Sequence, residues 1–200
     1  MSSISGLSIG VLGIQGDWRA HLGALQRVGI KGVRVTVAAD LTFLDGVILP
    51  GGESSAMTRA LEGSELGVAL RTFVRERSKP VMGTCAGAIL LAGRVLSQRG
   101  RAPGWLGVAG CTVSRNAYGG QLQSFVEDID VEEVGVVRGA FIRAPKFTEV
   151  EGWDVLGRSS EGDPVLVRKD TLVLCAFHPE LGCDNVHKWF AQMCMGQRRP

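Results

Sequence analysis

Apolar residues in this chain come first as short continuous runs and later as alternating ones. Leu7 to Ile14 (LSIGVLGI), Gly46 to Leu49 and Pro80 to Met82 are runs of the kind a strand shows when both faces of its sheet are covered. Helical spacing lies between them. Asp17 is placed to cap a helix over Trp18 to Val28 that Gly29 closes, Val33 to Ala38 alternates as a strand, and Ala56 to Leu61 reads as helix. Ser64 to Arg77 carries Leu66, Leu70, Phe73 and Val74 on one stripe, as a surface helix packed on the sheet would. After Met82 a small-residue apolar segment running to Val95 reads as a buried helix, and Ser97 to Gly107 as a loop. From Cys111 the segments CTVSRNAY, SFVEDIDV, GAFIRAP, WDVLGRS, PVLVRKD and TLVLCAF are short and strand-like; they extend the sheet or form an antiparallel layer on it. Asp184 opens a last amphipathic helix with Val186, Trp189, Phe190 and Met193 on one face. The order predicts an α/β fold: an open, mostly parallel sheet flanked by helices, with a small antiparallel extension, as one domain over residues 1–200.

Composition narrows the function classes. A chain of 200 residues is long enough to bury roughly 70% of its unfolded surface, so neither metal nor disulfide is needed for stability. The 22 basic and 20 acidic residues are dispersed, with Arg198 and Arg199 the only basic cluster, which argues against nucleic-acid binding. Five irregularly spaced cysteines, no signal peptide and no apolar run of ~18 residues predict reduced thiols in the cytoplasm and no membrane association.

Candidate chemistry begins at Gly83-Thr84-Cys85-Ala86-Gly87, where a strand meets a helix. The layout is that of a nucleophile elbow with sulfur for oxygen, and a helix N-terminus favours thiolate over thiol. A buried cysteine used only for packing is the alternative. Gly51-Gly52-Glu53-Ser54-Ser55 follows another strand and exposes backbone N–H groups at its carboxyl end; an oxyanion hole, a phosphate cradle and a plain βα turn all fit, although no P-loop lysine follows. A base is supplied where the strand Thr171 to Phe177 runs into His178-Pro179-Glu180. On extended backbone, residues i and i+2 project together, so Glu180 can orient the His178 imidazole and stabilise its protonated form. Cys175, His178, Cys183 and His187 have a spacing superficially like that of a zinc site, but a base is the better account of His178, and no metal is expected. His187 reads as a helix-surface residue and His21 as lying beside a polar face, with neither given a role.

Taken together, GTCAG at 83–87, PGGES at 50–54 and HPE at 178–180 resemble the class I (triad) glutamine amidotransferases. Within them, VLGIQGD at 11–17, SRNAYG at 114–119, SFVE at 124–127 and FIRAP at 141–145 resemble the glutaminase subunits of pyridoxal 5′-phosphate synthase, over nearly the whole chain. That resemblance implies a flavodoxin-like three-layer fold and a cofactor-free enzyme that hydrolyses L-glutamine to glutamate and ammonia. The ammonia would pass to a TIM-barrel synthase partner that makes pyridoxal phosphate. It further implies Cys85 as nucleophile, His178 as general base and acid, and Glu180 as its orienter. Gly52, Glu53, Ser54, Arg115, Ile142 and Arg143 match glutamine-contacting positions, and Gln15 and Gly16 a segment coupled to the partner. The expected oxyanion donors are the backbone N–H groups of Gly52 and Ala86. The chain departs from the pattern at Trp18, Ser55, Ala56 and Gly120. Rival readings are the glutaminase subunit of another synthase, such as that for imidazole glycerol phosphate, a peptidase of similar architecture, and a silent scaffold. RNAYG and FIRAP weigh against the first and the intact triad against the last.

Overall fold

A computed structural model describes residues 6–76, 79–98, 100–118 and 124–197. Arg77, Gly119, Gly120, Arg198 and Arg199 therefore lie outside the described residues.

The strands β1 (Ser8–Leu12), β2 (Lys31–Val35), β3 (Gly46–Leu49) and β4 (Val81–Thr84) and the late strand β13 (Leu172–Cys175) form the parallel half of a nine-stranded sheet. Its order is β2-β1-β3-β4-β13, continued antiparallel by β12 (Pro164–Lys169), β11 (Asp154–Arg158), β8 (Phe125–Val131) and β9 (Gly135–Phe141). Every residue of β3, β4 and β13 is buried, because helices cover both faces; this is why their sequences read as unbroken apolar runs. Edge strand β2 instead carries exposed Lys31 and Arg34, which discourage further pairing.

Helix α1 (Trp18–Arg27) joins β1 to β2, while α2 (Ser54–Leu61) and α3 (Glu65–Arg75) join β3 to β4. The two connections run in opposite directions along the sheet, so right-handed crossovers place them on opposite faces. The strand order thus reverses between β1 and β3, and the loops after those strands border the crevice where open α/β sheets bind ligands.

Four expectations are corrected. The second strand spans Lys31–Val35 rather than residues 33–38, because the Asp40 carboxylate accepts from the N–H groups of Thr36 and Val37 and turns the chain there. The helix after Cys85, α4, is only Ala86–Leu91; the apolar run then becomes strand β5 (Ala92–Ser97). The supposed loop contains β6 (Gly100–Pro103), hairpinned onto β5 through Gly100 in the left-handed region and ending in an edge-strand proline. The antiparallel part is also larger than expected. Besides four strands of the main sheet, it includes a separate sheet ordered β10-β7-β5-β6, where β7 is Ala109–Ser114 and β10 is Lys146–Thr148, though β5 and β7 run parallel.

The last helix, α5 (Asn185–Gly196), buries Val186, Trp189 and Phe190 as its spacing predicts, but it buries His187 as well. Among the described residues no helix is long and apolar enough to cross a membrane.

Candidate active site

Four loops converge at the carboxyl ends of adjacent parallel strands: Gln15-Gly16 after β1, Gly51 to Ser54 after β3, Cys85 after β4 and His178 after β13. Cys85 has φ 46° and ψ −103°, a strained conformation for a side-chain-bearing residue and the one an elbow imposes. The flanking glycines make it feasible. A Cβ on Gly87 would stand 1.9 Å from the Leu49 carbonyl oxygen, so only glycine lets the first turn of α4 rest directly on β3. Ala86 begins that helix, leaving its backbone N–H beyond the reach of any intrahelical acceptor.

His178 is anchored by its backbone, whose N–H donates to the Ala140 carbonyl at 2.9 Å as the chain leaves β13 and bridges to β9. Its Nδ1 lies 2.7 Å from Glu180 Oε1, and its imidazole lies beside the Cys85 thiol. Burial pulls the imidazole toward neutrality, yet the bonds to Cys85 and Glu180 and their charges outweigh it and push His178 up to about 10. The ring fits because residue 51 is glycine: a Cβ there would meet His178 Cε1 at 2.2 Å.

The Gly51 carbonyl accepts from the Asp17 N–H at 3.2 Å, so in a trans peptide the Gly52 N–H points away from the β1–α1 loop. Gln15 Oε1 accepts from the Glu53 N–H at 3.1 Å, and a Cβ on Gly16 would lie 1.9 Å from the Gly51 oxygen. The two glycine-bearing loops therefore touch backbone to backbone. Asp17 sits at the N-cap of α1 as expected but makes no side-chain capping bond. Two guanidiniums lie over the Trp18 ring, those of Arg19 at 4.4 Å and Arg34 at 4.2 Å, and Arg34 also donates to the Gly13 carbonyl.

Cys85 and His178 face a cavity of about 260 Å³ whose walls also include Gln15, Gly52, Glu53, Ser54, Ile89, Arg115, Asn116, Ile142 and Arg143. Every sequence-predicted glutamine contact is among them. Glu53 caps α2, accepting from the Ser55 and Ala56 N–H groups; burial pulls its carboxyl up, but those bonds and Arg115 hold it below the usual carboxylate range. Arg115 reaches Glu53 Oε1 and Ser55 Oγ, both at 3.3 Å. Ile142 turns its carbonyl to within 3.9 Å of Cys85 Sγ. Gly16, Ala86 and Glu180 do not line the cavity: Gly16 supports its loop, Ala86 is buried at the helix start and Glu180 lies behind His178. A neighbouring hollow of about 390 Å³, walled by Thr58, Val95, Pro103 and Trp105, shares Ser54, Ile89 and Arg115 with it.

Two readings of histidine are overturned. His21 and His187 are both fully buried, and His21 Nδ1 lies 2.9 Å from His187 Nε2. The signal was present in the spacing: His21 shares a stripe with Ala24 and Leu25, and His187 with Phe190, Ala191 and Cys194, at i+3, i+4 and i+7. Among the described residues, no group of three or more His, Cys, Asp or Glu side chains converges to hold a metal ion.

A thiol on a strained strand-to-helix turn, facing a histidine oriented by a carboxylate, defines the class of α/β cysteine amidohydrolases. Comparison with known proteins narrows the class. The model of the SNO glutamine amidotransferase family matches residues 11–196, and the chain belongs to that family. It is 41% identical to pyridoxal 5′-phosphate synthase subunit PdxT of Thermotoga petrophila over 190 residues, 94% of this chain and 99% of the relative. It is 43% identical to the subunit of the same name from Thermus thermophilus over 188 residues, 92% of this chain and 96% of the relative. A crystal structure described as a glutamine amidotransferase superposes with a TM-score of 0.84 at 38% identity, covering 94% of this chain and 98% of that one. The structure of PurLQS from Thermotoga maritima, at 18% identity and TM-score 0.68 over 96% of this chain and 98% of that one, shares the fold.

Proposed function

We propose that this chain is the glutaminase subunit of a pyridoxal 5′-phosphate synthase, acting as a single amidotransferase unit with a barrel-type synthase subunit as its partner. The observation that carries the reading is one cavity holding Cys85 and His178 opposite Arg115 and Glu53, in a chain whose relatives are named for that synthase. Glutamine is a zwitterion; the Arg115 guanidinium suits its α-carboxylate, and the Glu53 carboxylate its ammonium.

With the side-chain amide over Cys85 and the thiol proton passed to His178, the thiolate attacks the carbonyl carbon and the C=O electrons move to oxygen. The backbone N–H groups of Ala86 and Gly52 are the assigned donors to that oxyanion. Collapse breaks the C–N bond as His178, oriented by Glu180, delivers its proton to nitrogen and ammonia departs. Water, giving a proton to His178, then attacks the glutamyl thioester and releases glutamate and the thiolate. All five cysteines are free, which fits a reducing compartment, and we assign the chain to the cytoplasm.

The test is glutamate release from L-glutamine by the purified chain, alone and with a pyridoxal phosphate synthase barrel subunit. Strong stimulation by the barrel is expected, with turnover abolished in Cys85→Ala while folding and partner binding persist. Turnover that ignores the barrel would overturn the synthase assignment, and turnover surviving Cys85→Ala the nucleophile assignment.

A further inference from the structure

Behind His178 and Glu180 lie buried polar groups that the steps above leave unused. Glu180 has a fully buried side chain and gives Oε1 to His178 at 2.7 Å. Its other oxygen, Oε2, is buried and makes no formed hydrogen bond among the described residues. The nitrogen facing it is His21 Nε2, at 3.3 Å. That same Nε2 lies 3.2 Å from Thr84 Oγ1, on the residue before the nucleophile, while Nδ1 lies 2.9 Å from His187 Nε2. One imidazole on α1 therefore touches the carboxylate, the last residue of β4 just before Cys85, and α5.

An unmatched buried carboxylate oxygen is destabilising, and a carboxylate free to swing would not hold a fixed imidazole. We propose that His21 is a positioning residue for the triad: held by His187, its neutral ring directs Nε2–H toward Glu180 Oε2 and Thr84 Oγ1, fixing the carboxylate that orients His178.

The tautomer follows from charge. Burial above all, with the charges of His187 and His178, drives the His21 pKa well below its ordinary value, and burial pushes His187 down to about 4. Each ring then carries one N–H. A carboxylate 3.3 Å from His21 Nε2 favours the proton on that nitrogen, leaving Nδ1 to accept from His187 Nε2–H. The Cys183 carbonyl pulls the His187 proton toward Nδ1 instead; neither that nitrogen nor Glu180 Oε2 has a formed hydrogen bond, so the two contacts differ in charge alone. A charge-assisted contact is roughly twice as strong as a neutral one, so the carboxylate decides. Neutrality also explains why a histidine suits position 21. A lysine there would meet Oε2 with a full positive charge and compete with His178 for the carboxylate; a neutral imidazole meets it and leaves the negative charge to His178.

Conservative replacements separate this role from packing. Gln at position 21 keeps an amide N–H near the place of Nε2, Asn keeps one near Nδ1, and Leu keeps neither. Two readouts apply to each variant. The rate of Cys85 alkylation by iodoacetamide on the isolated chain, resolved from the other cysteines by peptide mass spectrometry, reports the Cys85–His178 pair without substrate. Glutamate release with the barrel subunit gives kcat and KM and rests on the glutaminase reading. His21→Gln should stay within ~3-fold of wild type in both. His21→Asn and His21→Leu should lose ~10-fold or more in alkylation rate and kcat with KM little changed, the scale of loss seen when an orienting partner is removed.

Folded Asn and Gln variants that react alike, or a folded Leu variant alkylated at the wild-type rate, would overturn the proposal. Should the Asn and Leu variants fail to fold, His187→Gln against His187→Asn carries the contrast one residue back: the first keeps a donor toward His21 and should react normally, the second should not, and equal rates count against the proposal. If the wild-type chain releases no glutamate with the barrel, the glutaminase reading falls while the alkylation series still decides the role of His21.

Discussion

Replacing Gly51 with Ala adds one methyl group to the wall of the cavity and tests whether His178 must stand where it does. Gly51 is outside the left-handed region, so alanine can adopt its backbone conformation. The added Cβ would sit 2.2 Å from His178 Cε1 and 2.9 Å from Nδ1. Carbon–carbon contact is comfortable near ~3.5 Å, so the ring must retreat by roughly 1.3 Å. The loop cannot yield instead: the Gly51 carbonyl accepts from Asp17 and is backed by Gly16. A retreat of that size ruptures the 2.7 Å bond between Nδ1 and Glu180 or withdraws the ring from Cys85. Misplacement by ~1 Å costs on the order of 100-fold in rate, and that loss of kcat is expected in glutamate release with the barrel subunit present. Gly29→Ala is the matched control. Gly29 has φ 76° with nothing within 4 Å of its would-be Cβ, so it should cost about 1 kcal/mol, ~2–4 °C in melting temperature, and no activity. A folded Gly51→Ala variant within ~3-fold of wild-type kcat would refute the reasoning.

Arg115→Ala should raise KM for glutamine ~10-fold or more and change kcat little; unchanged KM would remove Arg115 from the binding site. Its contacts with Glu53 and Ser55 already offset part of its charge. Stability should peak near neutral pH. His178 is raised from 6.5 to about 10, so the native state binds more protons between those values and the contribution present below 6.5 fades as pH rises through 10. His187 is lowered to about 4 and His21 also lowered, so the unfolded state binds more protons below 6.5 and stability falls toward acid. Melting temperatures across pH 4.5–9.5 check both limbs; His178→Asn should flatten the alkaline one, and an unaltered alkaline limb would contradict the raised pKa.

Much of this site could be read from the chain because its groups sit at element ends, where local chemistry is strongest. Cys85 between glycines and His178 two residues before Glu180 need only strand geometry to be placed. His21 escaped because its meaning is non-local: it faces residues 63 and 166 positions away, Thr84 and His187. Gly51 was read as exposing backbone, whereas its packing role depends on a ring more than a hundred residues later. The early end of α4 was likewise hidden, since a short apolar run suits helix and strand equally until β7 pairs with β5.

The place of β13 in the sheet has a consequence for how the chain assembles. It pairs with β4 in parallel register, Leu172 opposite Val81 and Cys175 opposite Thr84, and so joins strands about ninety residues apart in sequence. During synthesis the strand that leads into the Cys85 turn is therefore an unprotected sheet edge until residues 172–175 have left the ribosome. The Cys85 thiol cannot meet His178 before then, so on the proposed mechanism a chain cut short of residue 178 lacks glutaminase activity. The same topology makes the interval before β13 inserts the period of greatest aggregation risk.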